Sequence, residues 1–163
     1  MSREFVPSVT VAAVIEKAGR YLLVEENTKD GLRYNQPAGH LERGESLVQA
    51  VSREALEETG YTFEATGLLG IYLSSSPSSF DSSVPTYLRF AFVGRLGEQD
   101  AARRLDDGIV RALWLTPEEI EAISHRHRSP MVLQCILDHQ KRKPLASLDL
   151  LYTHPSALTG VVA

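Results

Sequence analysis

Apolar and polar positions along this chain alternate mostly with a period of two, and give way to a period near 3.6 in a few segments only. Residues 9–16 (VTVAAVIE) and 21–24 (YLLV) are apolar runs on either side of Lys17-Ala18-Gly19-Arg20, which predicts a hairpin. Residues 25–32 are polar and contain the turn dipeptide Asp30-Gly31. Residues 34–41 (YNQPAGHL) read as a short extended segment, placed by Pro37 at a sheet edge or bulge. Further strands are predicted at 65–73, 86–96 and 109–115. The second of these, TYLRFAFVGRL, alternates well.

Helical spacing first appears after Ser46. Ser46 and Gln49 stand at the capping-box interval, so the helix is predicted to start there. Leu47, Val48, Val51, Ala55 and Leu56 form its apolar stripe, and Gly60 is placed to end it in a left-handed conformation. Thr116-Pro117 opens a short helix through Ile123. Residues 130–140 make another, with Ser129 as its cap and Val132, Leu133, Ile136 and Leu137 as its apolar set at helical spacing. No period runs through residues 145–163, and their order is left open. Strands, a helix, more strands and late helices predict an α+β sandwich in which helices pack on a mixed sheet. At 163 residues the chain is expected to be one domain, residues 1–163.

Bulk properties narrow the partners. A net charge of −4 offers no general attraction to nucleic acid or to an anionic membrane, and the one short basic cluster is Lys141-Arg142-Lys143. An anionic substrate must then be met by a metal or by a few placed basic residues. The single cysteine, Cys135, excludes an internal disulfide framework and fits a cytoplasmic protein. The first residues carry Arg3 and Glu4 where a secretory leader would have an apolar run, and no stretch of about 18 apolar residues occurs to span a membrane. Residues 74–83 (SSSPSSFDSS) read as a polar surface loop.

The chemistry concentrates in residues 39–61. Glu54, Glu57 and Glu58 fall at i, i+3 and i+4 on the predicted helix, at its negative end, a placement that costs stability unless the acids face free water or hold a cation. Acid-rich helical faces are commonly just solvated. Here the acids sit in a longer pattern: Gly39, Glu45, Arg53, Glu54, Glu57, Glu58 and Gly60, with Ala55 and Tyr61 at the two apolar positions, follow G-x5-E-x7-R-E-U-x-E-E-x-G-U. This pattern resembles the Nudix box at every fixed position. The resemblance implies a Nudix-type α/β/α sandwich that hydrolyses a nucleoside diphosphate linked to another moiety. It further implies Mg²⁺, with Mn²⁺ as a substitute, held by Glu54, Glu57, Glu58 and the Gly39 carbonyl. Arg53 and Glu45 would pair to orient those ligands. The general base is expected at Glu57 within the box, or at Asp106 or Asp107 before the 109–115 strand.

The flanks, YNQPAGHLE, Leu88-Arg89-Phe90, the strand bearing Trp114 and Arg128-Ser129-Pro130, resemble a bacterial Nudix phosphatase branch. That branch acts on thiamine pyrophosphate, hydroxymethylpyrimidine pyrophosphate and nucleoside di- and triphosphates. Arg89, set between apolar neighbours on a strand, suits a planar anion, and Arg128 stands just before a helix start where an anion is favoured. His40, beside the box glycine, completes the expected substrate contacts. Tyr34, Tyr72 and Tyr87 are candidates for stacking on a ring, or for plain packing. Two other readings stay open: an ADP-ribose pyrophosphatase, for which Pro77 lies at a suggestive distance, and a silent nucleotide-binding regulator. The partner expected is a small phosphorylated molecule, with the protein a monomer or homodimer.

Overall fold

The computed structural model describes residues 6–75 and 85–158. Eight strands form two sheets. In the first, β5 (Ala38–His40), β1 (Ser8–Val14), β7 (Thr86–Gln99) and β6 (Tyr61–Ser75) lie in that order. β1 and β7 run parallel while both outer pairs are antiparallel, so this sheet is mixed as expected. The second sheet is wholly antiparallel. β3 (Arg20–Thr28) pairs with β8 (Ile109–Leu115) along one edge, and with β2 (Glu16–Lys17) and β4 (Gly31–Asn35) along the other.

The predicted 9–16/21–24 hairpin is therefore only partly real. Val9 to Val14 pair with β5 and β7, and the hairpin with β3 is confined to Glu16 and Lys17. The chain changes sheet at Ile15, whose carbonyl still accepts from the Leu22 amide at 3.0 Å. An apolar run buried on both faces looks continuous in sequence even where it hands over between sheets. The 34–41 segment divides likewise. Pro37 stands between β4 and β5, and its carbonyl accepts from the Ala13 amide at 2.9 Å.

Helices cover both sides. α1 (Leu47–Thr59) packs with Val11, Ala13, Ile15, Leu22 and Phe92 on one side. α2 (Pro117–Ala122) and α3 (Met131–Gln140) cover Val14, Tyr21, Leu23 and Ala91 on the other. Neighbouring residues on β1 and β3 thus feed opposite cores, as the two-residue repeat of a strand requires. α1 carries both capping-box hydrogen bonds at Ser46 and ends on Gly60 at φ 75°, as read from the sequence. α2 has the same device at Thr116 and Glu119. At α3 the Ser129 hydroxyl accepts from the Met131 amide at 3.3 Å.

One expectation about α1 fails. Leu56 is only half-buried and belongs to neither core, whereas Glu54 and Glu58 are buried with Ala50, Val51 and Ala55. At 3.6 residues per turn Leu56 lies roughly 140° round the helix from Val51, while Glu58 lies within about 20° of it. The acids, not Leu56, continue the inward face. The start of the tail packs back on the fold: Leu68 and Ala146 exchange backbone hydrogen bonds, both at 2.9 Å, and Leu148 and Leu151 pack onto the α1-side core. The serine-rich loop and Pro77 lie outside the described residues, apart from Ser74 and Ser75, which end β6.

Candidate functional site

α1 aims its last turn at β5. Gly39 presses directly on the Glu54 carboxylate, so closely that any Cβ at this position would collide with it. One residue earlier the Ala38 amide donates to Glu58 Oε2 at 2.9 Å. Two acids of the helix thus meet the strand backbone, Glu58 at Ala38 and Glu54 at Gly39, where a side chain would have to displace the Glu54 carboxylate.

Arg53 organises the neighbouring side. Its guanidinium grips Glu45 at two points, Nε to Oε2 at 2.9 Å and Nη2 to Oε1 at 2.8 Å, and Nη2 also donates to the His40 carbonyl at 3.0 Å. Nη1 is shared between Glu54 at 2.8 Å and Glu57 at 3.0 Å. Glu45 is held below the usual carboxylate range by this arginine, and the acids in turn hold Arg53 firmly protonated. The bidentate grip ties the loop before α1 to the helix itself.

Burial sets the charge state of the acids. Glu58 is pushed up to about 9 by loss of solvent, with Glu54, Glu26 and Asp106 adding to the shift and the Ala38 N–H opposing it. Glu54 is raised too, mainly by burial, against the pull of Arg53. Asp106 joins this group: its amide donates to the Glu57 carbonyl at 3.0 Å, and its charge is felt at Glu54 and Glu58. Asp107 does not. Its side chain is 93% exposed and pairs with Arg104 at 2.8 Å in the turn closed by Gly108 at φ 93°.

Ala38 and Gly39 also line a cavity of about 340 Å³ that collects the three expected substrate contacts, Arg89, Arg128 and His40. Arg89 is buried on β7, and its guanidinium donates to two neutral amides, Gln36 Oε1 at 3.0 Å and Asn35 Oδ1 at 3.1 Å. Among the described residues no carboxylate lies within ion-pair distance of it, and burial lowers its proton affinity. A buried cation without an anion is costly, and a negative group beside this one would offset that cost. Tyr87 lines the same cavity, whereas Tyr34 donates to Glu25 at 2.6 Å and Tyr72 to Asp138 at 3.0 Å.

The protein family described as NUDIX domain matches residues 4–134. The chain belongs to the Nudix family. It is 36% identical over 143 residues to the protein named Phosphatase NudJ of Escherichia coli strain K12, spanning 86% of this chain and 90% of that one. A solved Nudix hydrolase from Nitrosomonas europaea is 49% identical with a TM-score of 0.86, covering 92% of this chain and 99% of that chain. An ADP-ribose pyrophosphatase from Streptococcus suis, 18% identical with a TM-score of 0.62 over 87% and 97% of the two chains, shares the fold. The chain is thus a Nudix hydrolase, built on the α+β fold expected for one, and none of its described helices is long and apolar enough to cross a membrane.

Nudix hydrolases generally work with a divalent cation, and the Nudix box here has suitable donors. Among the described residues no three acidic, histidine or cysteine side chains already surround one point. Mg²⁺ does not require that, since it keeps several waters and is commonly held by one or two carboxylates together with substrate phosphates. Hard oxygen donors, two buried acids whose carboxyls are shifted upward mainly by burial, and a strand backbone without a Cβ beside them fit such an ion. Glu26 is among the cavity residues that went unread in the sequence, because residues 25–32 look like a polar turn whereas β3 runs on to Thr28. Its signal was the two-residue repeat through Leu22, Val24 and Glu26.

Proposed function

We propose that this Nudix hydrolase cleaves phosphoanhydride bonds in nucleoside di- and triphosphates and in thiamine- or hydroxymethylpyrimidine-type pyrophosphates, with water attacking phosphorus. The observation that carries this reading is Arg89, a buried guanidinium without a carboxylate partner, opening on the same cavity as the Gly39 edge of the box. Arg89 and Arg128 would bind the phosphate oxygens, Arg89 through a planar fork fixed by Asn35 and Gln36. His40 would contact the substrate beside them.

Glu54, Glu57, Glu58 and the Gly39 carbonyl would hold Mg²⁺ or Mn²⁺. When bound, the ion neutralises phosphate charge and acidifies the attacking water. Arg53, fastened to Glu45, positions Glu54 and Glu57. Glu57 is the proposed base: it takes the water's proton while the oxygen bonds to phosphorus and the bond to the leaving oxygen breaks. Asp106 is the alternative base, and the exposed, Arg104-paired Asp107 is the weaker one. Intact acids throughout the box favour an enzyme over a silent binding module.

A substrate panel with product analysis tests the reading. Orthophosphate from thiamine pyrophosphate and nucleoside diphosphates supports it, whereas AMP and ribose phosphate from ADP-ribose, with little activity elsewhere, would replace it. Glu57→Gln is expected to lower kcat by roughly two orders of magnitude or more with an unchanged fold by circular dichroism. An unaltered rate would remove Glu57 from the role.

A further inference from the structure

Glu26 closes the inner end of β3, on the wall of the cavity shared by Arg89 and Arg128. Its side chain is 18% exposed, and Oε1 is fully buried yet accepts no hydrogen bond from any described residue. Arg128 Nε stands 3.5 Å from this oxygen, near enough to offset its charge but not in hydrogen-bonding geometry. A buried acceptor left unpaired bears the full loss of its hydration. In a ligand cavity, the missing donor is most simply supplied by the ligand.

Ionised phosphate cannot be that donor, because its oxygens only accept and carry the same charge. The organic part of the substrate can supply one. Aromatic surface lines the same cavity: the rings of His40 and Tyr87 both face it, with centroids 6.4 Å apart. A planar ring suits such a surface, and a ring amino group is a donor that lies in its plane. We propose that Glu26 reads an amino group on the heteroaromatic ring of the substrate and so selects amino-bearing over oxo-bearing pyrophosphates. Arginines take the charged end, and the Glu26 carboxylate takes the neutral donor. This rests on the phosphoanhydride reading above and assigns the end of the substrate that reading leaves open.

Cytosine and uracil separate the idea cleanly, since the first offers an amino donor where the second offers an oxo acceptor. With Mg²⁺, kcat/KM measured by phosphate release is expected to favour CDP over UDP by about tenfold or more. Glu26→Gln carries both a donor and an acceptor, and is expected to bring that ratio to within about threefold of unity. Calorimetry of CMP and UMP binding to the wild-type enzyme needs neither a variant nor turnover, and is expected to show the same preference. Equal handling of the two bases by the wild type overturns the proposal. So does an unchanged ratio in Glu26→Gln, or a loss equal for both substrates, which would assign Glu26 to holding Arg128. If neither diphosphate is hydrolysed but CMP still binds more tightly than UMP, the hydrolase reading fails and the assignment of Glu26 stands.

Discussion

Replacing Glu58 by glutamine should make the metal-free protein more stable near neutral pH and blunt its response to Mg²⁺. Burial pushes the Glu58 carboxyl from the usual 4.5 to about 9, so the folded state holds a proton that the unfolded chain releases above pH 4.5. A raised acid contributes stability that is complete below the unfolded value and is lost as pH climbs toward the folded one. Each pH unit in that window is worth about 1.4 kcal/mol, so moving from pH 5 to 7.5 removes on the order of 3 kcal/mol. For a chain of this size that corresponds to roughly 6–12 °C in Tm. Glu25, Glu45 and Asp138 have lowered values, and their contributions are already complete above pH 5. His127 and His139 are lowered as well and add stability as pH rises through the 6.5 region, which is why the difference between two proteins must be measured. Glutamine keeps an acceptor for the Ala38 amide but has no proton to lose. Thermal unfolding in chelator should show the variant gaining on wild type steadily from pH 5 to 8. Added Mg²⁺ should raise the wild-type Tm more at pH 8 than at pH 6, and the variant's far less at either. Parallel Tm curves in chelator, or an equal Mg²⁺ response in both proteins, would refute the account of Glu58.

Gly39→Ala inserts a methyl group into the Glu54 carboxylate, and should cut kcat by at least about tenfold while raising the Mg²⁺ concentration for half-maximal rate. Arg89→Lys keeps the charge but loses the fork between Asn35 and Gln36, and kcat/KM should fall roughly 10- to 100-fold, mostly through KM, as read from initial rates. Ser46→Ala removes the cap of α1 far from the cavity. It should cost about 1 kcal/mol, a Tm drop of roughly 2–4 °C, with the rate within twofold of wild type.

Features written in local chemistry were legible in the chain alone. The cap at Ser46, the left-handed Gly60, the Thr116-Pro117 start and the bounds of β8 each depend on residues a few positions apart. The box residues were legible for the same reason: a spacing names them without any knowledge of their surroundings. What stayed hidden is decided by partners far along the chain. The two amides that hold Arg89 are 53 and 54 residues away, and nothing near Arg89 signals them. Leu56 was placed inward because a pattern of apolar residues assumes that acids face water. Glu54 and Glu58 invert that assumption, and the hydrophobic stripe alone could not reveal it. Glu26 was hidden by the glutamate beside it. Glu25 is held by Tyr34 and Arg111 while Glu26 faces the cavity, yet the pair reads as one polar turn.

The cavity has walls of unequal stiffness. Arg89 and Thr10 belong to β7 and β1, paired with each other at the middle of the first sheet, and any displacement there would disturb both cores. Thr28, Asp30 and Arg33 come instead from the β3–β4 hairpin tip, and Arg128 from the connection ahead of α3. Lengthening or re-lettering that tip leaves the central strands and the box untouched. Selection for a new leaving group would therefore have a place to act apart from the central strands, and laboratory evolution of altered substrate preference should find its first changes at Glu26 and in residues 28–33.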